Sequence, residues 1–195
     1  MPDKYRSFAE LAKSEKLGKD YEVVVVPRPE SSVAILAPHG GGIESGTSEL
    51  AISIAAADHN LFIFSGRKSC GNGGLHIGSE RFDHPDCVAM LSRSSIVLGV
   101  HGCRGEAQIY VGGLDDPLAT LLTHHLSAAG LPATTECPRH LAGRQQRNIC
   151  NGGMRGCGAQ LEITIDLRAE GSRPLITSAV RAAIAEHATA IHARS

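Results

Sequence analysis

Residues 33–58 read VAILAPHGGGIESGTSELAISIAAAD. An apolar run over 33–37 stops at Pro38. A histidine, three glycines and a glutamate follow, and then a segment with Leu50, Ile54 and Ala57 at helical spacing. An apolar run without alternation is what a strand covered on both faces looks like. The segment after the turn predicts a helix over 47–58, with Thr47 as its N-cap. Strand, turn and helix in this order are the repeating unit of an α/β sheet, and such sheets place their sites beyond the carboxyl ends of the strands. The stretch therefore points both to the fold and to the place where chemistry belongs.

The same alternation runs outward along the chain. EVVVV (22–26), LFIF (61–64), IVLGV (96–100), QIYVG (108–112) and AQLEITIDL (159–167) read as further strands. Pro85 suits the first turn of one helix. Asp116 as cap, Pro117 and Gly130 bracket another, and a last helix is predicted over 174–193. The expectation is α/β: one domain over 1–195, an open, mixed and mostly parallel sheet, helices on both faces. A chain of 195 residues is the usual size of one domain. Apolar content is ordinary at 42%, but tryptophan is absent and aromatics are 4%, so Ala, Val, Ile and Leu must fill the core.

A net charge of −1 gives no global attraction to nucleic acid or acidic membranes. The first 22 residues carry charges throughout, and no apolar stretch approaches the roughly 18 residues a membrane span needs. A cytoplasmic protein without a signal peptide is expected. The six cysteines, at 70, 87, 103, 137, 150 and 157, form no Cys-x-x-Cys, so free thiols are expected and a Cys150–Cys157 bridge has nothing to support it. Local charge differs from the global balance. The glycine-rich stretch 137–158 holds Arg139, Arg144, Arg147 and Arg155 and no acid. A loop of that length in a compact domain is usually functional or disordered.

Two predicted strands end in the same device, His39-Gly40 and His101-Gly102. Zinc takes neutral imidazole and carboxylate, and catalytic sites use three protein ligands and one water. Glu44 is the candidate third ligand, because glycines at 40, 41 and 42 let the chain fold back toward the histidine. Glu49, in the following helix, is its rival. Glu162 lies opposite the apolar face of its strand. It is either on the wet side of an edge strand or a general base for an activated water. His76 and His84 flank Arg81 and are candidates to line a cleft, and Cys103 stands close to His101. His59, His187 and His192 read as surface residues, and one of His124 and His125 must point outward.

The blocks HGGGIESGTSELA, RFDHP, VHGCRG, YVGG and RNICNGGMRGCGAQLEI, in that order over roughly residues 15 to 168, resemble the poly-γ-glutamate hydrolases of bacteriophages and prophages. The resemblance implies a zinc enzyme with a zinc-carboxypeptidase-like fold. It implies His39, Glu44 and His101 as zinc ligands and Glu162 as general base. Less directly, it implies Arg81, Arg147 and Asn148 as groups that bind the carboxylates of an anionic γ-glutamyl polymer, with neither nucleic acid nor membrane as partner. Two other readings stand beside it. One is a zinc amidohydrolase acting on a small N-acyl amino acid or aminoacyl ester. The other is a non-catalytic phage accessory protein that binds nucleic acid through 139–155, which the neutral charge and few aromatics oppose.

Overall fold

A computed structural model describes residues 3–193. Seven strands form one sheet in the order β1-β3-β2-β4-β7-β5-β6. They are β1 (Tyr21–Val26), β2 (Val33–Gly41), β3 (Asn60–Gly66), β4 (Ile96–Cys103), β5 (Ile109–Gly113), β6 (Ala133–Thr134) and β7 (Ala159–Thr164). β1 runs antiparallel to β3 and β5 antiparallel to β7, while the other four pairings are parallel. The expected mixed, mostly parallel sheet is found.

Five helices cover it: α1 (Phe8–Ser14), α2 (Thr47–Ala55), α3 (Pro85–Leu91), α4 (Asp116–Ala128) and α5 (Arg173–His192). The pleat of β2 shows why both faces are needed. Val33, Ile35 and Ala37 pack with Leu50, Leu122 and Ile184 from α2, α4 and α5. Ala34 and Leu36 turn to Leu11 of α1, Met90 of α3 and the few aromatics, Phe62, Phe64 and Phe82. Alternate residues of one strand thus feed two separate cores.

Several boundaries differ from expectation, each for a local reason. β2 does not stop at Pro38 but continues to Gly41, with a register shift between Ala37 and Gly40. A bulge is where a strand tolerates a residue with no N–H to donate. β4 likewise runs past His101 to pair Cys103 with Thr164. Both histidines therefore sit inside the last turns of their strands. Thr47 does not cap α2. The cap is Gly46 with φ +92, and the Thr47 hydroxyl donates to the Glu44 carbonyl at 2.8 Å. The cap of α4 is Asp115, whose carboxylate accepts from the Leu118 amide at 3.2 Å, one residue before the expected Asp116. β7 ends at Thr164 rather than 167 and breaks into a short 3₁₀ turn, which leaves Ile165 52% exposed. β7 is also central, buried on both faces, so its Glu162 is not on the wet side of an edge strand.

Candidate metal centre and its cavity

The central strands β2, β4 and β7 end side by side, and their last residues converge. Gly41 adopts φ +60, and the Glu44 amide then donates back to the His39 carbonyl at 2.9 Å, which folds the carboxylate beside the imidazole. His39 Nε2 donates to the Ile77 carbonyl at 2.8 Å and so leaves Nδ1 as the ring atom facing the other two side chains. His39 Nδ1 lies 3.2 Å from Glu44 Oε1 and 3.2 Å from His101 Nδ1, and His101 Nδ1 lies 3.9 Å from Glu44 Oε2. Four ligands at zinc distances of about 2.0–2.2 Å in a tetrahedron stand about 3.3–3.6 Å apart. Ligand atoms of the three residues lie within 4.8 Å of one another, near that spacing, and this donor set fits a divalent metal. Both imidazoles are 2% exposed. His101 Nε2 has no hydrogen-bond partner, and Glu44 Oε2 accepts from the Gly102 amide at 2.7 Å.

The charges of the cluster follow from burial and proximity. Burial pushes His39 down, but the Glu44 carboxylate outweighs it and raises the imidazole above its usual value. His101, equally buried and facing the His39 charge, is pushed down to about 3 and is therefore neutral. Burial would raise Glu44, yet the charge and hydrogen bond of His39 hold it at about 2. Glu162, 8% exposed and opposite both His101 and Tyr110 in register, is pushed up to about 8 by burial and then by the Glu44 charge.

A cavity of about 1050 Å³ opens over this cluster. His39, Glu44, His101 and Glu162 line it, together with His76, Gly78, Arg81, the 139–145 segment and Asn148. The structure thus brings six of the seven residues implied by the resemblance to one cavity. Arg147 is exposed and outside that lining, whereas Arg139 and Arg144 of the same loop are part of it. Asn148 is 5% exposed and donates to Gln160 Oε1 at 2.9 Å, while Gln160 Nε2 donates to Glu162 Oε1 at 3.2 Å. It therefore reaches Glu162 through one intermediary. Glu49 is exposed on α2. His84 caps α3, its Nδ1 accepting from the Asp86 amide at 3.2 Å. His187 is 3% exposed, not superficial, because Asp115 beside it supplies a carboxylate at 3.0 Å that Arg155 shares at 2.6 Å. All six cysteines are free.

Sequence reasoning did not single out Arg168, Gln160 or Asp3. Arg168 is 7% exposed and lies against Gly102, where a side chain would collide with its guanidinium, and Nη1 donates to the Ser45 carbonyl. Its only sequence signal is a cation just after the last strand, which is too common to single out. Asp3 accepts from His76, the Gly78 amide and Arg81, bonds that hold it below the usual carboxylate range although burial works the other way.

Two imidazoles and a carboxylate at the ends of adjacent parallel strands, beside a buried and raised carboxylate, make a candidate metal centre in an α/β fold. The family model described as poly-gamma-glutamate hydrolase matches residues 5–175, and the chain belongs to that family. The Bacillus subtilis protein YndL is 39% identical over 168 residues, 85% of this chain. The SPbeta prophage-derived YoqZ of the same organism is 37% identical over 171 residues, 86% of this chain. The chain spans 66% of YndL and 61% of YoqZ. Among solved structures, a bacteriophage poly-gamma-glutamate hydrolase superposes with a TM-score of 0.91 at 28% identity, covering 96% of this chain and 99% of the other. A structure of YndL described as apo and zinc-free gives 0.85 at 33%, covering 94% and 98%. A candidate metallopeptidase of Shewanella denitrificans gives 0.51 at 13% over 85% and 78%, a likeness of fold alone.

Proposed function

We propose that the chain is a zinc-dependent hydrolase that cleaves the γ-glutamyl amide bonds of poly-γ-glutamate. The carrying observation is the convergence of three ligand atoms within 4.8 Å of one another with Glu162 in one cavity whose walls bear Arg81, Arg139 and Arg144. The family, the phage hydrolase likeness and the zinc-free description of YndL support the substrate and the metal. His39, Glu44 and His101 would hold the zinc, which, when bound, supplies Lewis acidity to a water and to the amide carbonyl.

The protein groups then divide the work. Glu162 takes the proton of the attacking water and delivers it to the leaving nitrogen. Burial raises its affinity for a proton, which suits the taking step, and a cation at the triad would lower that affinity, so that the carboxylate starts ionised and gives the proton up again. Gln160 orients that carboxylate, and Asn148 holds Gln160. Arg81 binds a carboxylate of the polymer in the cavity, and Arg147 meets a further one outside it. A polymer with one carboxylate per residue is met by a cationic loop on a protein of nearly neutral net charge. The test combines metal analysis of the purified protein with a polymer-length assay. About one zinc per chain and shortening of poly-γ-glutamate are expected. Stoichiometric zinc with a polymer of unchanged length would reject the substrate, and hydrolysis that survives complete removal of metal would reject the zinc.

A further inference from the structure

The wall that carries Arg81 is held from the other end of the chain. Asp3 Oδ1 accepts from His76 Nδ1 at 2.7 Å, and Asp3 Oδ2 accepts from the Gly78 amide at 2.8 Å and from Arg81 Nη2. Three donors from one six-residue segment thus converge on a carboxylate that is 12% exposed. The segment matters to the site in two ways. The His76 ring lies over the His39 ring with centroids 4.1 Å apart, and the Ile77 carbonyl takes the His39 Nε2 proton. Arg81 itself is half exposed and lines the cavity, with one edge of its guanidinium on Asp3.

We infer that Asp3 is a positioning residue for substrate binding: by fixing Arg81 in the cavity wall, it aims the free edge of the guanidinium at a carboxylate of the anionic substrate. The inference rests on the function proposed above. A free arginine loses rotamer freedom when it is ordered. An arginine already docked on Asp3 loses less of that freedom when substrate arrives. Its planar fork allows one edge to bind Asp3 and another to bind a second carboxylate. The competing role is a plain staple between the first residues and the 76–81 segment. A staple would support folding but would have no special relation to Arg81.

The test measures KM and kcat on poly-γ-glutamate, together with bound zinc, for wild type, Asp3→Ala, Arg81→Ala and the double variant. Asp3→Asn, which keeps one acceptor oxygen and nearly the same volume, carries the test if the alanine variant does not fold. Asp3→Ala is expected to raise KM about tenfold. Its kcat should stay within about threefold of wild type and its zinc content unchanged, with Asp3→Asn intermediate in KM. The double variant should match Arg81→Ala alone, because an effect transmitted through Arg81 has nothing further to lose. An unchanged or lowered KM in Asp3→Ala overturns the inference, and so does full additivity with Arg81→Ala. Loss of zinc and kcat at constant KM does the same, since that is the signature of a staple. A wild type that leaves the polymer intact overturns the functional reading itself. Wild-type turnover with any of the other results overturns only the role of Asp3.

Discussion

Glu44 and Glu162 are two carboxylates on neighbouring elements whose environments drive them apart, one to about 2 and the other to about 8. Such a split separates a permanently charged carboxylate from one that can carry a proton. Glu162→Gln keeps shape and the bond to Gln160 but cannot take a proton. Hydrolysis should fall by roughly 10² to 10⁴ while zinc stays bound. Near-normal turnover at full zinc would remove Glu162 from the reaction. The same group affects stability in the metal-free protein. Between its ordinary 4.5 and about 8 the folded chain holds a proton that the unfolded chain has released. Raising pH through that window therefore costs the wild type stability that Glu162→Gln does not lose. Melting temperatures of the two metal-free proteins, measured from about pH 5 to 8 and subtracted, should diverge in favour of the variant. Parallel curves would mean that Glu162 is ionised in the fold. At this scale the sequence was readable where a residue interrupts a pattern, as His39 does after an apolar run. Asp3, Gln160 and Arg168 interrupt nothing. Asp3 and Arg168 take their meaning from hydrogen-bond partners far along the chain, 75 residues away at Gly78 and 123 at Ser45, and Gln160 from the loop around Asn148.

At the scale of elements, strands 33–37 and 96–100 were legible as buried apolar runs, but their ends were not. Pairing beyond Pro38 and His101 depends on what β3 and β7 offer as partners, and no local pattern carries that. The underside of β4 shows the cost of the arrangement. At Gly102 a Cβ would stand 2.4 Å from Arg168 Cζ, and Gly46, at φ +92, passes against the same residue. Gly102→Ala is therefore expected to displace a buried guanidinium and to destabilise the fold by about 1–3 kcal/mol, as overpacking does. It should also lower activity, because the Gly102 amide that donates to Glu44 would shift. Gly73→Ala, with no atom within 4 Å of the added carbon and no positive φ, is the control. It should stay within about 0.5 kcal/mol of wild type. Denaturant midpoints for the two variants check both statements, and equal midpoints would mean that Arg168 has room to move.

At the scale of the molecule, the triad is an electrostatic burden that the fold carries at its centre. Two buried imidazoles face each other at 3.2 Å, and the buried Glu162 and half-buried Glu44 carboxylates share the same space. Neither layer of helices relieves this, because both are occupied with the apolar cores on either side of the sheet. A bound divalent cation would relieve it and would bind the folded chain far better than the unfolded one. Metal at about 100 times its dissociation constant adds about 2.7 kcal/mol of stability. For a chain of this length each kcal/mol moves the melting temperature by about 2–4 °C, so saturation with zinc should raise it by about 5–10 °C. A chelator should reverse the shift. Acidification should weaken it as well, since the metal competes with a proton on His39, whose affinity for protons is raised. His101→Ala should melt at the same temperature with and without zinc. Magnesium, which prefers six oxygen ligands, should not substitute. A wild-type protein whose melting temperature ignores both zinc and chelator would show that His39, Glu44 and His101 are gathered for some purpose other than holding a metal.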